Sequence, residues 1–192
     1  DLDGDGNYEI VLKWDPTDSK DSAGADFTGN AYIDAYKIDP NNDGYMWRID
    51  LGKNVTSGAH YTQFLVYDFD GDGKSEVAMK TAPGTVDGTG RYVTEVGDTD
   101  EIRNTDNTKS YIGTSGRLKG KNPFTQYLTI FDGEQVPHFI QRTIFRMMRQ
   151  KINIGATAGQ SITEVKDTLR QWLILTVFIR VSLCAEVIIT TL

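Results

Sequence analysis

From Gly58 to Gly90 the chain reads GAHYTQFLVYDFDGDGKSEVAMKTAPGTVDGTG, and its centre is Asp68-Phe69-Asp70-Gly71-Asp72-Gly73-Lys74-Ser75-Glu76. Asp68, Asp70, Asp72 and Glu76 stand at positions one, three, five and nine of that run. Four carboxylates this close repel one another unless a cation sits among them. Hard oxygen donors on a flexible loop suit Ca²⁺, which takes six to eight of them. The odd-numbered spacing puts alternate side chains on the inside of a tight loop, and the backbone carbonyl of Lys74 is expected to join them. The two glycines permit the turns.

An EF-hand is excluded by position twelve. That motif ends in a bidentate Glu between two helices, whereas position twelve here is Met79. The flanks Phe64-Leu65-Val66-Tyr67 and Val77-Ala78-Met79 are short apolar runs that predict strands. A solvated acidic turn is the bland alternative, and repetition argues against it. The chain opens Asp1-Leu2-Asp3-Gly4-Asp5-Gly6-Asn7-Tyr8-Glu9-Ile10-Val11-Leu12-Lys13, which matches Asp68 to Lys80 in its acidic positions, its glycines and its final Lys. Asp1, Asp3, Asp5, Asn7 and Glu9 therefore form a second candidate calcium loop beside Asp68, Asp70, Asp72, Lys74 and Glu76. Repeated units with short strands suggest a propeller or a solenoid.

The 192 residues make about one domain. A net charge of −7 argues against nucleic acid as a partner, because phosphate contacts need Lys and Arg. One cysteine permits no internal disulfide and does not identify the compartment. The sequence begins inside a motif, without an initiator Met or a signal peptide, as a fragment would. Two materials are joined at Glu134/Gln135. Residues 1–134 carry a net −11 and 17 of the 19 glycines, and residues 135–192 carry a net +4.

Along the first part, Ile10–Trp14, Ala31–Ile38, Tyr45–Ile49 and Tyr127–Phe131 are further predicted strands. Asp39-Pro40-Asn41-Asn42-Asp43-Gly44 has turn chemistry and predicts a hairpin. Trp47 is expected in the core. Residues 81–90 lack the GxxxxGK[ST] pattern, so they are not a phosphate loop. Residues 91–122 are polar and predict a long surface loop of the kind that carries ligand contacts.

The runs DLDGDGNYEIVLKW, YKIDPNNDGYMWRIDLGKN, the stretch from Gly58 to Gly90, and LTIFDGE together resemble the rhamnogalacturonan lyases of polysaccharide lyase family 11, continuously over residues 1–134. The resemblance implies an all-β fold: part of an eight-bladed β-propeller with calcium-binding loops. It implies cleavage of the rhamnogalacturonan I backbone of pectin by β-elimination at galacturonate, and a secreted, extracellular protein. A monomer without nucleic-acid or membrane partners is expected. β-Elimination needs a neutralised uronate carboxylate and a base for the C5 proton. His60, Tyr61, Lys80 and Arg103 are the expected substrate contacts, and the base is left unassigned. A non-catalytic calcium module binding a protein or carbohydrate ligand, as in integrin-type propellers, is the alternative. Much of Gly58–Gly90 would then have no reason to be there.

Residues 135–192 depart from the family pattern. Leu173–Leu192 is apolar enough to raise a membrane anchor, but Arg180 and Glu186 interrupt it. Its β-branched residues also fit a buried helix poorly. Read from the third base of each codon, the tail permits GAALHTADYIP, KYWGDS, LAAVAYLDGVYP and FVRGGYYHH, which resemble the family's continuation at one constant offset. A frameshift after Glu134, leaving a tail without an evolved fold, is the expectation. Any helix around Ile162–Val177 would then reflect local propensity alone.

Overall fold

A computed structural model describes residues 1–20, 27–39, 41, 43–58, 62–97, 99–115, 119–120, 122 and 125–134, together with a strand over 138–143. These residues form two antiparallel sheets. The first contains β1 (Glu9–Trp14), β2 (Tyr32–Lys37) and β3 (Tyr45–Asp50), in that order. The second contains β4 (Phe64–Tyr67), β5 (Glu76–Thr81), β6 (Tyr127–Phe131) and β7 (His138–Thr143), again in sequence order. Each expected strand is present, with ends shifted by at most two residues. The chain is thus all-β in its sheets.

The β2–β3 hairpin closes where turn chemistry predicts it. The Lys37 amide donates to the Gly44 carbonyl at 2.7 Å. Gly44 adopts φ +69°, and a Cβ there would meet the Lys37 carbonyl oxygen at 2.1 Å, so only glycine fits.

One face of each sheet supplies the core. Ile33, Ala35, Trp47 and Ile49 of the first sheet cluster with Val77, Met79 and Phe131 of the second, and Leu2, Ala31, Leu51, Val55, Ala82 and Val93 complete the group. The core residues of each strand stand two apart on one face, while the opposite faces of β2 and β5 are also buried at Asp34 and Ala78. Trp47, expected in the core, is buried there. Its indole Nε1–H donates to the Gly133 carbonyl at 2.8 Å, so the largest core side chain also satisfies a buried backbone acceptor.

The repeat noticed in the first nine residues extends through the strands. Each position of the second copy lies 67 residues beyond the first. At that offset Ile10 paired with Tyr36 corresponds to Val77 paired with Phe131, and Leu12 with Asp34 to Met79 with Thr129. The register of β2–β3 slips between Ala35 and Tyr36, and that of β6–β7 slips between Ile130 and Phe131, the corresponding place. A shared bulge is a conserved piece of geometry within the molecule, since a bulge re-aims the strand that carries it.

Two features differ from expectation. Residues 91–122 are more than an irregular surface loop. They include a 3₁₀ turn at Val93–Val96 and a short helix, α1 (Asp100–Arg103), because Val93 and Ile102 are buried and draw the segment down. Also, β7 lies beyond the compositional boundary at Glu134/Gln135 and pairs along β6. The remainder of 135–192, including Ile162–Val177 and Leu173–Leu192, lies outside the described residues. Among the described residues no helix is long and apolar enough to cross a membrane.

Gly133 sits where the two acidic loops meet the core. A Cβ there would fall 1.9 Å from the Ser75 carbonyl oxygen and 2.8 Å from Leu2 Cδ2. Gly71 has φ +80° with open space around it, so alanine there costs about 1–2 kcal/mol of backbone strain. Urea unfolding is therefore expected to show Gly133→Ala as the more destabilising change of the two. Equal or reversed effects would contradict this packing.

Candidate functional site

The two acidic loops fold alike, bond for bond. In the second loop the Asp68 carboxylate accepts the Gly71 amide at 2.7 Å through one oxygen and the Gly73 amide at 3.0 Å through the other. Asp1 does the same with Gly4 at 2.6 Å and Gly6 at 2.9 Å. Glu76 accepts the Phe69 amide at 2.7 Å, as Glu9 accepts that of Leu2 at 2.6 Å. Asp70 and Asp72 bond the amides two residues on, at 3.2 and 2.8 Å, and Asp3 and Asp5 do so at 3.1 and 2.8 Å. These are Asx turns. They work because Gly4, Gly6, Gly71 and Gly73 take φ between +75° and +92°.

The turns gather oxygen donors. Carboxylate oxygens of Asp68, Asp70 and Glu76 lie within 4.8 Å of one another, and so do those of Asp1, Asp3 and Asp5. That span matches an ion bound at about 2.3–2.6 Å from each oxygen. Asp72 and Glu9 complete the same loops through their amide contacts, outside these two triads. Lys74 and Asn7 donate their own amides to Asp72 and Asp5.

Electrostatically the loops differ. Burial pushes the Glu76 carboxyl above its ordinary pKa, and the charges of Asp70, Asp68 and Asp72 push the same way. In the first loop the Lys37 ammonium bonds Asp3 closely and Asp5 at 3.0 Å. Lys37 holds the Asp3 carboxyl below the usual range. Asp5 is also low, first through the Asn7 amide and then through Lys37. Lys37 itself is raised by the two carboxylates. The first loop therefore has a built-in counter-charge. In the second, Lys74 reaches out of the loop to Glu134 at 2.5 Å. The loops also touch: the Ser75 amide donates to the Asp1 carbonyl at 2.8 Å.

Of the expected substrate contacts, His60 and Tyr61 lie outside the described residues. Their flanks are anchored. Ser57 is buried with its hydroxyl donating to Asp15 at 2.5 Å, and Thr62 is buried with its hydroxyl on the Gly58 carbonyl at 3.3 Å. Lys80 is half-buried on β5, opposite Leu128. Arg103 lies on α1, where its guanidinium donates to the Gly97 carbonyl and to Asp100 at 2.6 Å, bracing its own turn. Lys13 ends the first repeat as Lys80 ends the second. It bonds the Gly58 carbonyl at 3.4 Å, just before Ala59-His60-Tyr61, and pairs with Asp15 at 3.1 Å.

The family model described as rhamnogalacturonan lyase family 11, C-terminal domain, matches residues 1–162. This chain belongs to that family. A rhamnogalacturonan endolyase, YesW of Bacillus subtilis (strain 168), is 52% identical over 134 residues, covering 69% of this chain and 19% of the relative. The rhamnogalacturonan exolyase YesX of the same organism is 48% identical over 134 residues, 70% of this chain and 19% of the relative. The solved structure of a Bacillus licheniformis rhamnogalacturonan lyase is similar with a TM-score of 0.61 at 49% identity, covering 74% of this chain and 22% of that one. The chain thus spans about a fifth of the length of the lyases it matches.

In this family member the loop region after β5 is pinned by the buried side-chain amide of Asn54 and the half-buried one of Asn107. Asn54 Nδ2 donates to the Pro83 and Lys109 carbonyls, both at 2.9 Å, and its Oδ1 accepts the Tyr111 amide at 2.7 Å. Asn107 accepts the Gly84 amide at 2.9 Å and exchanges bonds with Thr94. Removing one buried partner strands the others at roughly 1–3 kcal/mol each. Asn54→Ala is therefore expected to lower stability by about 2–4 kcal/mol and to expose residues 83–111 to limited proteolysis. A loss under about 1 kcal/mol with unchanged cleavage would contradict the pinning role.

Proposed function

We propose that this chain is the calcium-loop portion of a secreted polysaccharide lyase that cleaves the rhamnogalacturonan I backbone of pectin by β-elimination at galacturonate, within an eight-bladed β-propeller. The identity of about half to both an endolyase and an exolyase carries this reading. Both modes match about equally, so the proposal covers the bond broken and not the pattern of release. The substrate is a pectic polysaccharide, and the working protein is a monomer.

The chemistry assigns roles by type. A base removes the proton at C5 of the uronate, the C4–O bond breaks, and an unsaturated uronate remains. Lys80 and Arg103, with His60 and Tyr61, are the chain's candidates for holding the sugar and its carboxylate. Asp68, Asp70, Asp72, Glu76 and the Lys74 carbonyl would hold one Ca²⁺, and Asp1, Asp3, Asp5, Asn7 and Glu9 another. Calcium, when bound, offsets carboxylate repulsion and fixes the loop.

The inequality of the loops gives a graded expectation. Lys37 competes for Asp3 and Asp5, so calcium should bind the second loop more tightly than the first. A calorimetric titration of the whole chain should show two phases, with Asp68→Asn removing the tighter one and Asp1→Asn the weaker. Saturation at about 100 times the dissociation constant should stabilise the chain by about 2.7 kcal/mol per site. No calcium-dependent rise in melting temperature would overturn the calcium assignment.

The lyase reading is tested by transplanting residues 1–134 into the corresponding segment of the Bacillus subtilis endolyase. The chimera is expected to release unsaturated uronate, read by ultraviolet absorbance. A folded, calcium-binding chimera without product would favour the non-catalytic module.

A further inference from the structure

Seven Asp–Gly bonds occur in the chain, after Asp3, Asp5, Asp43, Asp70, Asp72, Asp87 and Asp132. Such a bond is open to attack by the glycine nitrogen on the preceding side chain, because glycine has no Cβ to shield it. Five of the seven share one local geometry. Asp3, Asp5, Asp70, Asp72 and Asp43 each accept the amide two residues on, at 3.1, 2.8, 3.2, 2.8 and 3.2 Å. The glycine between takes φ from +69° to +92° in all five. The carboxyl carbon is therefore posed alike in each.

The glycine nitrogen is not. In the acidic loops its N–H donates to the carboxylate at position one: Gly4 and Gly6 to Asp1, Gly71 and Gly73 to Asp68, at 2.6 to 3.0 Å. The electron pair that would attack lies along that N–H bond. An amide held on another carboxylate keeps the pair turned away from its own side chain. At the β2–β3 hairpin Asp43 is exposed, and among the described residues no carboxylate accepts the Gly44 amide. The two remaining bonds are held by packing. Asp87 is buried and accepts the Thr89 and Arg91 amides at 2.9 and 3.0 Å. Gly133 lies against the Ser75 carbonyl, with no room for its backbone to turn.

We propose that Asp43–Gly44 is the chain's site of spontaneous isoaspartate formation, and that Asp1 and Asp68 suppress the same reaction at the four Asp–Gly bonds of the acidic loops. The Gly44 nitrogen bonds to Asp43 Cγ, and the amide proton leaves with the carboxyl hydroxyl as one water, closing a succinimide ring. Water then opens the ring. Breaking the bond from nitrogen to Cγ restores Asp, and breaking the bond from nitrogen to the main-chain carbonyl carbon gives isoaspartate. The product carries an extra backbone methylene in a turn that closes through the Lys37 amide on the Gly44 carbonyl at 2.7 Å. This inference concerns backbone chemistry and stands whether or not the loops bind calcium or the protein cleaves pectin.

The test ages the 192-residue chain at neutral pH with a chelator present, so that any protection comes from the protein alone. Peptides of residues 39–45 and 68–74, aged alongside, give the rates of the unheld bonds. Peptide mapping with electron-transfer fragmentation locates isoaspartate at each position. In the folded chain Asp43 should convert at close to its peptide rate. Asp70 and Asp72 should convert more slowly than their peptide by about ten-fold or more, a factor that charge-assisted bonds support. Asp68→Ala should release Asp70 and Asp72 and leave Asp3 and Asp5 slow, and Asp1→Ala should do the reverse. If either variant fails to fold, seen as lost amide protection in β5, the comparison of folded chain with peptide decides alone. Loop bonds converting at their peptide rate in the folded parent chain would overturn the proposal. So would an Asp43 that stays unconverted while its peptide reacts.

Discussion

The rest of the structure depends on one contact made twice: a carboxylate at the first position of an acidic loop accepting two backbone amides, one on each oxygen. Asp68 takes Gly71 and Gly73, and Asp1 takes Gly4 and Gly6. Each contact reverses the backbone in a few residues and delivers it to a strand in fixed register. Charge-assisted bonds of this kind are about twice as strong as neutral ones. The cost is crowding of like charge. Loop one meets it with Lys37, and loop two leaves Glu76 buried beside three aspartates.

The loops also join the sheets. The Ser75 amide bonds the Asp1 carbonyl, Leu2 is buried in the shared core, and Gly133 is small enough to lie beneath both. Trp47 donates to that same Gly133 carbonyl from the first sheet. A donor arriving from a different sheet satisfies an acceptor that the loops leave pointing inward, so loop geometry and core packing support each other. The acidic loops thus serve as structural corners as well as candidate cation sites.

Much of this was legible in the sequence, for local reasons. The Asp and Gly spacing specifies Asx turns, whose partners lie two to five residues away, so the loops and their equivalence could be read directly. Strands such as Phe64–Tyr67 and Tyr127–Phe131 announce themselves by composition and turn residues. What could not be read depends on distant partners. The turns at Val93–Val96 and Asp100–Arg103 form because Val93 and Ile102 find a buried site, which a polar-looking segment does not advertise. The placement of Arg103 against Gly97 and Asp100 was hidden for the same reason, and so were the contacts of Lys37 with Asp3 and Asp5 across 34 and 32 positions. The strand β7 was missed because composition changes at Glu134/Gln135 while the pairing with β6 continues.

The central claim is that the paired acidic loops are equivalent corners held by carboxylate-to-amide bonds. Amide exchange, resolved by residue on the purified chain, tests it most directly. Gly71 and Gly73, together with Gly4 and Gly6, should exchange well below the rates of an unstructured chain although all four are exposed. Each pair should lose that protection when its own Asp68 or Asp1 is replaced by Ala. Random-coil rates at these glycines in a chain whose β4 and β5 remain protected would contradict the account.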